Sequence, residues 1–298
     1  MIADPFHSAQ YLLTSRCSIY TFNTLDATLT LIAGDSSCGY KDSVATSALF
    51  NGITHLVPSP EEPGQVWILD SDNHCIRTLD LIIVEVQTFA GLCKVMANSD
   101  GVAASARFGK PVALSVNPKN AFESVLYDNE YLVLKHMFFD SETNEWIVET
   151  YLTWEEKCRS LSYDPSANYI YLVYSTGIGR VGLDNGTVEY ITGHNGIGQI
   201  DGAADTASFY NARNILFLQD SLFLVVDYGN FRLRIVDAYN ETISSLCVAV
   251  KVVSQTDTIC VDERPVFISV HHTAKDKLAL LTVSNVYELD LAGWDCIM

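Results

Sequence analysis

The residues of this chain best placed to do chemistry are its eight cysteines, its seven histidines, and acids set at fixed distances ahead of Asn and Arg. Asp70-Ser-Asp-Asn73-His74-Cys75-Ile-Arg77 and Asp227-Tyr-Gly-Asn230-Phe-Arg-Leu-Arg234 share one spacing of Asp, Asn and Arg. Asp and Asn three apart around a tight reversal hydrogen-bond their own backbone, which is turn chemistry. Arg77 and Arg234 follow the turn and are read as ion-pair partners of Asp70, Asp227 or neighbouring acids. His55 stands in an apolar run, and His271 and His272 close another. A catalytic zinc needs about three protein ligands and an open position. Two such runs supply His55 and His271 as weak ligand candidates, and His74 is assigned to its turn.

Other chemistry finds little to stand on. Gly177-Ile-Gly179-Arg-Val-Gly182 matches a dinucleotide fingerprint, but an Asn185-Gly186 hairpin follows where a helix must begin. Gly193-His-Asn-Gly196-Ile-Gly198 has no following Lys-Ser/Thr and is read as a loop rather than a phosphate cradle. G-x-S-x-G and H-E-x-x-H do not occur, and no catalytic residue is assigned. The cysteines form no C-x-x-C pair, so an even, dispersed set points to disulfides and an oxidising compartment.

Composition sets the outer limits. At 48% apolar residues with 15 Tyr, 13 Phe and 4 Trp, the chain can fill a large core and is not disordered. The 36 acids against 18 Lys and Arg give a net charge of −18. Such a surface repels phosphate backbones and anionic membranes, so nucleic-acid binding is excluded as a general function. No apolar stretch reaches the ~18 residues of a spanning helix, and the first residues lack the pattern of a signal peptide. A secreted form is expected to have lost its signal or to belong to a larger, membrane-anchored protein.

The elements that carry these residues recur. Asp42, Ala45, Ala48 and Phe50 are matched in spacing by Asp100, Ala103, Ala106 and Phe108, and again by Asp201, Ala204, Ala207 and Phe209. Gly34, Gly91 and Gly193 stand just ahead of each set. After each Phe come short apolar runs, such as Ile53–Val57, Val66–Leu69, Ile76–Leu79 and Val84–Ala90. Each unit reads as four short antiparallel strands, and no helical period competes. Repeats of this size describe an all-β propeller. Six copies are counted, Ala9–Gly34, Leu49–Gly91, Phe108–Tyr151, Cys158–Gly193, Phe209–Leu246 and Val266–Trp294. They are taken as one domain over 1–298 in which the incomplete terminal segments share a blade.

At Asp100-Gly101…Ala106-Arg107-Phe108, Asp201-Gly202…Ala207-Ser208-Phe209 and Asp70–Arg77 the chain resembles the NHL-repeat family of six-bladed β-propellers. The resemblance covers Gly34–Pro111 and Gly193–Asp237 and fades between Asn117 and Ile191. It implies the fold, and a range of roles from protein or RNA binding to enzymatic activity. Some relatives, the peptide α-amidating lyases, hold a metal in the central channel with histidines. Here the residues corresponding to His55 are Ala113 and Asn214, so no cofactor is assigned, with channel calcium or zinc kept as the alternative.

Recurring repeat positions pair Cys17 with Cys38 and Cys75 with Cys93, and Cys247 with Cys260 flanks a third junction. Cys158 and Cys296 either pair with each other or stay free. Asn185-Gly-Thr and Asn240-Glu-Thr are glycosylation sequons on expected turns. Trp146 and Trp154 lie in acidic, exposed-looking insertions suited to anchoring and steering a basic partner. The resulting expectation is a secreted, extracellular or lumenal glycoprotein module that binds a protein or glycoprotein, without enzymatic activity, nucleic-acid binding or membrane insertion. Two alternatives stay open: a metal-dependent lyase or hydrolase with its site at the central channel, and an intracellular NHL scaffold.

Overall fold

A computed structural model describes residues 1–7, 10–193 and 195–246 with their side chains. Beyond them it describes the strand backbone of 251–252, 265–270, 277–282 and 286–290. The chain divides into two compact units, Met1–Cys158 and Arg159–Met298.

The first unit opens with a sheet of β1 (Ile2–Ala3), β2 (Gln10–Thr14), β3 (Ser18–Asn23) and β4 (Thr28–Gly34), paired in that order. A second sheet follows, built from β5 (Ser43–Val44), β6 (Ile53–Pro58), β7 (Gln65–Asp70), β8 (Cys75–Asp80) and β9 (Glu85–Ala90). The third comprises β10 (Gly101–Val102), β11 (Pro111–Asn117), β12 (Asn120–Asp128), β13 (Val133–Asp140) and β14 (Glu145–Thr153). The second unit continues with β15 (Cys158–Tyr163), β16 (Tyr169–Tyr174), β17 (Gly177–Gly182) and β18 (Val188–Thr192). Next come β19 (Gly202–Ala203), β20 (Ala212–Phe217), β21 (Leu222–Asp227), β22 (Arg232–Asp237) and β23 (Thr242–Leu246). Every described strand pair is antiparallel, and the central strands β7, β16 and β21 are buried on both faces over five consecutive residues.

These five sheets are the blades of an all-β propeller. Six were expected from the spacing of the repeats. The last strands, β24 (Lys251–Val252), β25 (Pro265–Val270), β26 (Lys277–Thr282) and β27 (Val286–Asp290), do pair into a further sheet. It holds three consecutive strands with the two-residue β24 beside β27, not the four-strand succession of the other five. Among the described residues the four strands of the first blade come from residues 2–34, with Ile2–Ala3 pairing to Tyr11 and Leu12.

In the second, third and fifth blades a two-residue strand lies outside the outermost long strand: β5 on β9, β10 on β14, β19 on β23. These caps are the segments that open each repeat, and they explain its residues. Ala48, Ala106 and Ala207 are fully buried in the same clusters as Phe50, Phe108 and Phe209, which are fully buried as well. The glycine ahead of each cap is equally determined. Gly34, Gly91 and Gly193 have φ of 84°, 89° and 108°, a region L-residues avoid. A side chain on Gly34 would run into the backbone of Cys17 and Ser18.

The cap is present where the sheet can bind it. Asp42 of the second blade accepts from the Thr88 N–H at 3.1 Å and pairs with Arg77. Asp100 accepts from the Thr150 N–H at 2.9 Å and pairs with Lys135 at 2.8 Å. Asp201 accepts from Ser245 Oγ at 3.1 Å and pairs with Arg234 at 2.7 Å. In the first blade Tyr20 opposite Leu31 replaces this cation and hydroxyl, and in the fourth Gly179 opposite Tyr190 does so. Among the described residues neither of those blades carries a cap strand.

Candidate functional site

The Asp-x-x-Asn spacing builds a buried polar knot. A 3-10 turn over Ser71–Asn73 closes on His74, whose φ of 63° is left-handed, and Tyr228–Asn230 closes likewise on Phe231 at 58°. Asp70 accepts from the Asn51 N–H, from Asn73 Nδ2 and from Arg77 Nη1, each at 2.8 Å. Arg77 then reaches Asp42 through Nε at 2.9 Å and the carbonyl of Lys41 through Nη2 at 3.0 Å. The second copy repeats the carboxylate's bonds, with Asp227 taking the Tyr210 N–H at 2.9 Å, Asn230 at 2.8 Å and Arg234 at 2.8 Å, but Arg234 reaches Asp201 through Nη2 and its Nε has no partner. The Arg77 and Arg234 side chains are fully buried and lie over the rings of Phe50 and Phe209 at 5.1 and 4.8 Å. Burial holds the carboxyls of Asp70 and Asp227 above the usual range, against the opposing pull of their Asn, backbone and Arg donors.

A third knot escaped the sequence reading. Asp128 takes the N–H groups of Gly109 at 2.6 Å and Lys110 at 2.8 Å, and Lys135 occupies the place of Arg77. Burial pushes the Asp100 carboxyl up, but its bonds to Lys135 and Thr150 outweigh this and hold it low. The signal was available, since Asp128 precedes Lys135 by the same seven positions that separate Asp70 from Arg77. Apart from Arg234 Nε, the charged groups of these knots are engaged within the protein, so the chemistry they perform is to lock each blade to the segment preceding it.

Around the second blade further bonds join neighbouring strands. His74 Nδ1 meets the carbonyl of Gly109, and Ser71 Oγ donates to that of Pro111. The Leu114 N–H donates to His55 Nδ1 at 3.1 Å, and burial lowers the His55 pKa to about 4. His55 is therefore a neutral, half-buried acceptor on β6. His271 lies outside the described residues. Among the described residues no group of three or more His, Cys, Asp or Glu could hold a metal ion.

Two expected disulfides are formed. Cys17–Cys38 and Cys75–Cys93 each span a Cα–Cα distance of 5.1 Å. Cys75 stands immediately after His74, so the bridge fastens the loop beyond β9 to the knot's turn. Cys158 is buried on β15, while Cys247, Cys260 and Cys296 lie outside the described residues. Asn185 and Asn240 are exposed on the turns before β18 and β23. Asn185 Oδ1 accepts from Thr187 Oγ1 at 2.7 Å, and Asn240 Nδ2 donates to Asp237 at 2.7 Å.

The two tryptophans are not surface anchors. Trp146 is buried against Trp67 and Phe89, with ring centroids 5.2 and 6.0 Å away, and its Nε1 donates to Glu61. Trp154 is buried as well. The reason lies in strand alternation: Trp146 and Val148 face inward while Glu145 and Glu149 face out, so acidic neighbours do not make an exposed indole.

No protein-family model matches the chain, and no curated protein matches it in sequence. Solved structures do match. An auxiliary nutrient binding protein from Bacteroides ovatus aligns over 96% of this chain and 67% of its own, at 11% identity and a TM-score of 0.68. A nidogen/laminin complex aligns over 95% of this chain and 89% of its own, at 12% identity and a TM-score of 0.61. A protein of unknown function from Bacteroides thetaiotaomicron aligns over 92% and 81%, at 16% identity and a TM-score of 0.51. The chain is thus a β-propeller with structural neighbours among propeller proteins.

Proposed function

We propose that this chain is an NHL-like propeller working outside the cell or in a lumen as a non-enzymatic module that binds a protein or glycoprotein. The observation that carries the reading is the pair of disulfides at corresponding repeat positions. Such bridges persist in oxidising compartments. The knots support it further, because their carboxylates and guanidinium groups are engaged with one another rather than turned to a substrate. A nutrient-binding protein and the nidogen/laminin complex among the structural neighbours are consistent with a binding role. Asn185 and Asn240 carry glycans in this reading, and the net charge of −18 favours a basic partner.

The test is expression of the intact chain through a secretory route, followed by mass analysis and by crosslinked capture from extracellular fluid. Expected are unalkylated Cys17, Cys38, Cys75 and Cys93 before reduction, and one protein captured by the folded but not the heat-unfolded chain. Eight alkylatable thiols without reductant, or no difference between folded and unfolded baits, would overturn the reading.

A further inference from the structure

The first two blades have an end formed by the β1–β2, β3–β4, β6–β7 and β8–β9 connections. Large apolar side chains face solvent there: Leu25 is 83% exposed, Ile82 72%, Ile83 61% and Phe6 48%. The β8–β9 turn is the telling one. It shares a plan with three other hairpins, in which an Asn or Asp side chain accepts the N–H two residues on. Asn23 takes that of Leu25 at 2.9 Å, Asp80 that of Ile82 at 2.7 Å, Asp140 that of Glu142 at 2.9 Å and Asp237 that of Tyr239 at 3.0 Å.

In each hairpin the turn's last residue is left-handed: Ala27, Val84, Asn144 and Glu241. Such turns favour polar residues with Asn or Gly at the left-handed place, and Ser141-Glu-Thr-Asn144 complies. Leu81-Ile82-Ile83-Val84 does not, and it sets a β-branched residue at a φ of 51°. Leu81 and Val84 pack partly against the blade's own core, whereas Ile82 and Ile83 project into solvent and add nothing to it. Phe6 joins this tip through Gly64: its ring lies so close that no side chain fits there, and the Gly64 carbonyl accepts the Leu81 N–H at 2.8 Å.

Charge identifies the occupant. Asp26, Glu61, Glu62, Asp80 and Glu85 stand in or beside these connections, and residues 4–7, 24–27, 59–64 and 81–84 contain no Lys or Arg. Arg16, Lys41, Lys94 and Lys110 all belong to connections at the opposite end. From this juxtaposition we infer that Phe6, Leu25, Ile82 and Ile83 are the docking surface for a partner protein whose own apolar contact is ringed by Lys and Arg. The inference rests on the binding reading above and says where that binding occurs. The carboxylates oppose an anionic bilayer and equally oppose a second copy of this chain.

The test titrates an amphipathic Leu/Lys peptide into the intact chain by calorimetry, with Ile82→Asp/Ile83→Asp and Leu92→Asp/Met96→Asp variants beside it. Both variants add the same negative charge, so general attraction for the cationic peptide rises equally. Expected is binding weakened by about tenfold or more at Ile82/Ile83, the scale of an apolar anchor lost, and not weakened at Leu92/Met96. Phosphatidylserine vesicles and the chain alone at rising concentration are measured in parallel. Equal binding by all three proteins, no binding by any, vesicle binding lost in the Ile82/Ile83 variant, or a dimer dissolved by it would each overturn the assignment. None of these touches the captured-partner result, which tests the binding reading by itself.

Discussion

The guanidinium of Arg77 bonds to Asp42, 35 positions earlier in the chain, while pairing with the buried Asp70 beside it at 2.8 Å. Removing the cation strands a desolvated carboxylate, the costly half of a broken buried pair. Arg77→Met should destabilise the protein by about 3–5 kcal/mol in urea unfolding, and adding Asp70→Asn should recover part of the loss. A change below about 1 kcal/mol would show the knot to be solvated in solution.

The Cys75–Cys93 bridge closes a loop with a sequence separation of 18. Cys75→Ser/Cys93→Ser should therefore lower stability by about 3 kcal/mol in the chain-entropy account. Denaturant midpoints of the oxidised wild type and the double variant measure it, and equal midpoints would contradict the bridge.

His55 gives the pH dependence a definite direction. Its pKa falls from the ordinary 6.5 to about 4 on folding. The unfolded chain therefore binds the proton first, so the contribution is complete above pH 6.5 and is lost as pH falls toward 4. The total is at most about 3 kcal/mol, reduced by the partial exposure of the ring. Asp100 and Asp237, whose hydrogen bonds hold them below the usual 3.8 despite partial burial, titrate beneath that window. His55→Gln should flatten the stability profile between those limits, and an unchanged slope would assign it to other groups.

Trp146 and Ile82 should behave in opposite ways. Trp146→Ala removes a buried indole from the Trp67–Phe89 cluster and should cost about 3–5 kcal/mol. Ile82→Ser, at an exposed turn tip, should stay within about 0.5 kcal/mol. Thermal unfolding of the two single variants decides between these roles.

What was legible in the sequence was what repeats with its residue types intact. Asp42, Ala48 and Phe50 announced the repeat, though not the cap strand they form, and the recurring positions of Cys17, Cys38, Cys75 and Cys93 announced two bridges that are formed. The third knot was hidden because Lys135 replaces Arg and Tyr131 stands where Asn73 stands in the second blade. Trp146 was misread because charge nearby in sequence says nothing about which face of a strand a residue occupies. The blade count slipped because apolar runs reveal strands, whereas β24 sits beside β27 through pairing that leaves no period in the sequence. Leu81–Ile83 fell between the apolar runs Ile76–Leu79 and Val84–Ala90, and its exposure was not legible because exposure at a hairpin tip is set by the register of β8 and β9.

Because β5 pairs with β9 of its own sheet, the stretch from Asp42 to Ala90 is closed on itself by hydrogen bonds from its first residues to its last. The natural unit of copying in this chain therefore runs from cap to outer strand, a span that carries its own edge protection wherever it is inserted. A duplication cut one strand out of phase would carry an open edge with it and expose its neighbour's. The Asp-Ala-Ala-Phe lead-ins mark the seams at which a copied blade keeps the cap on its outer strand.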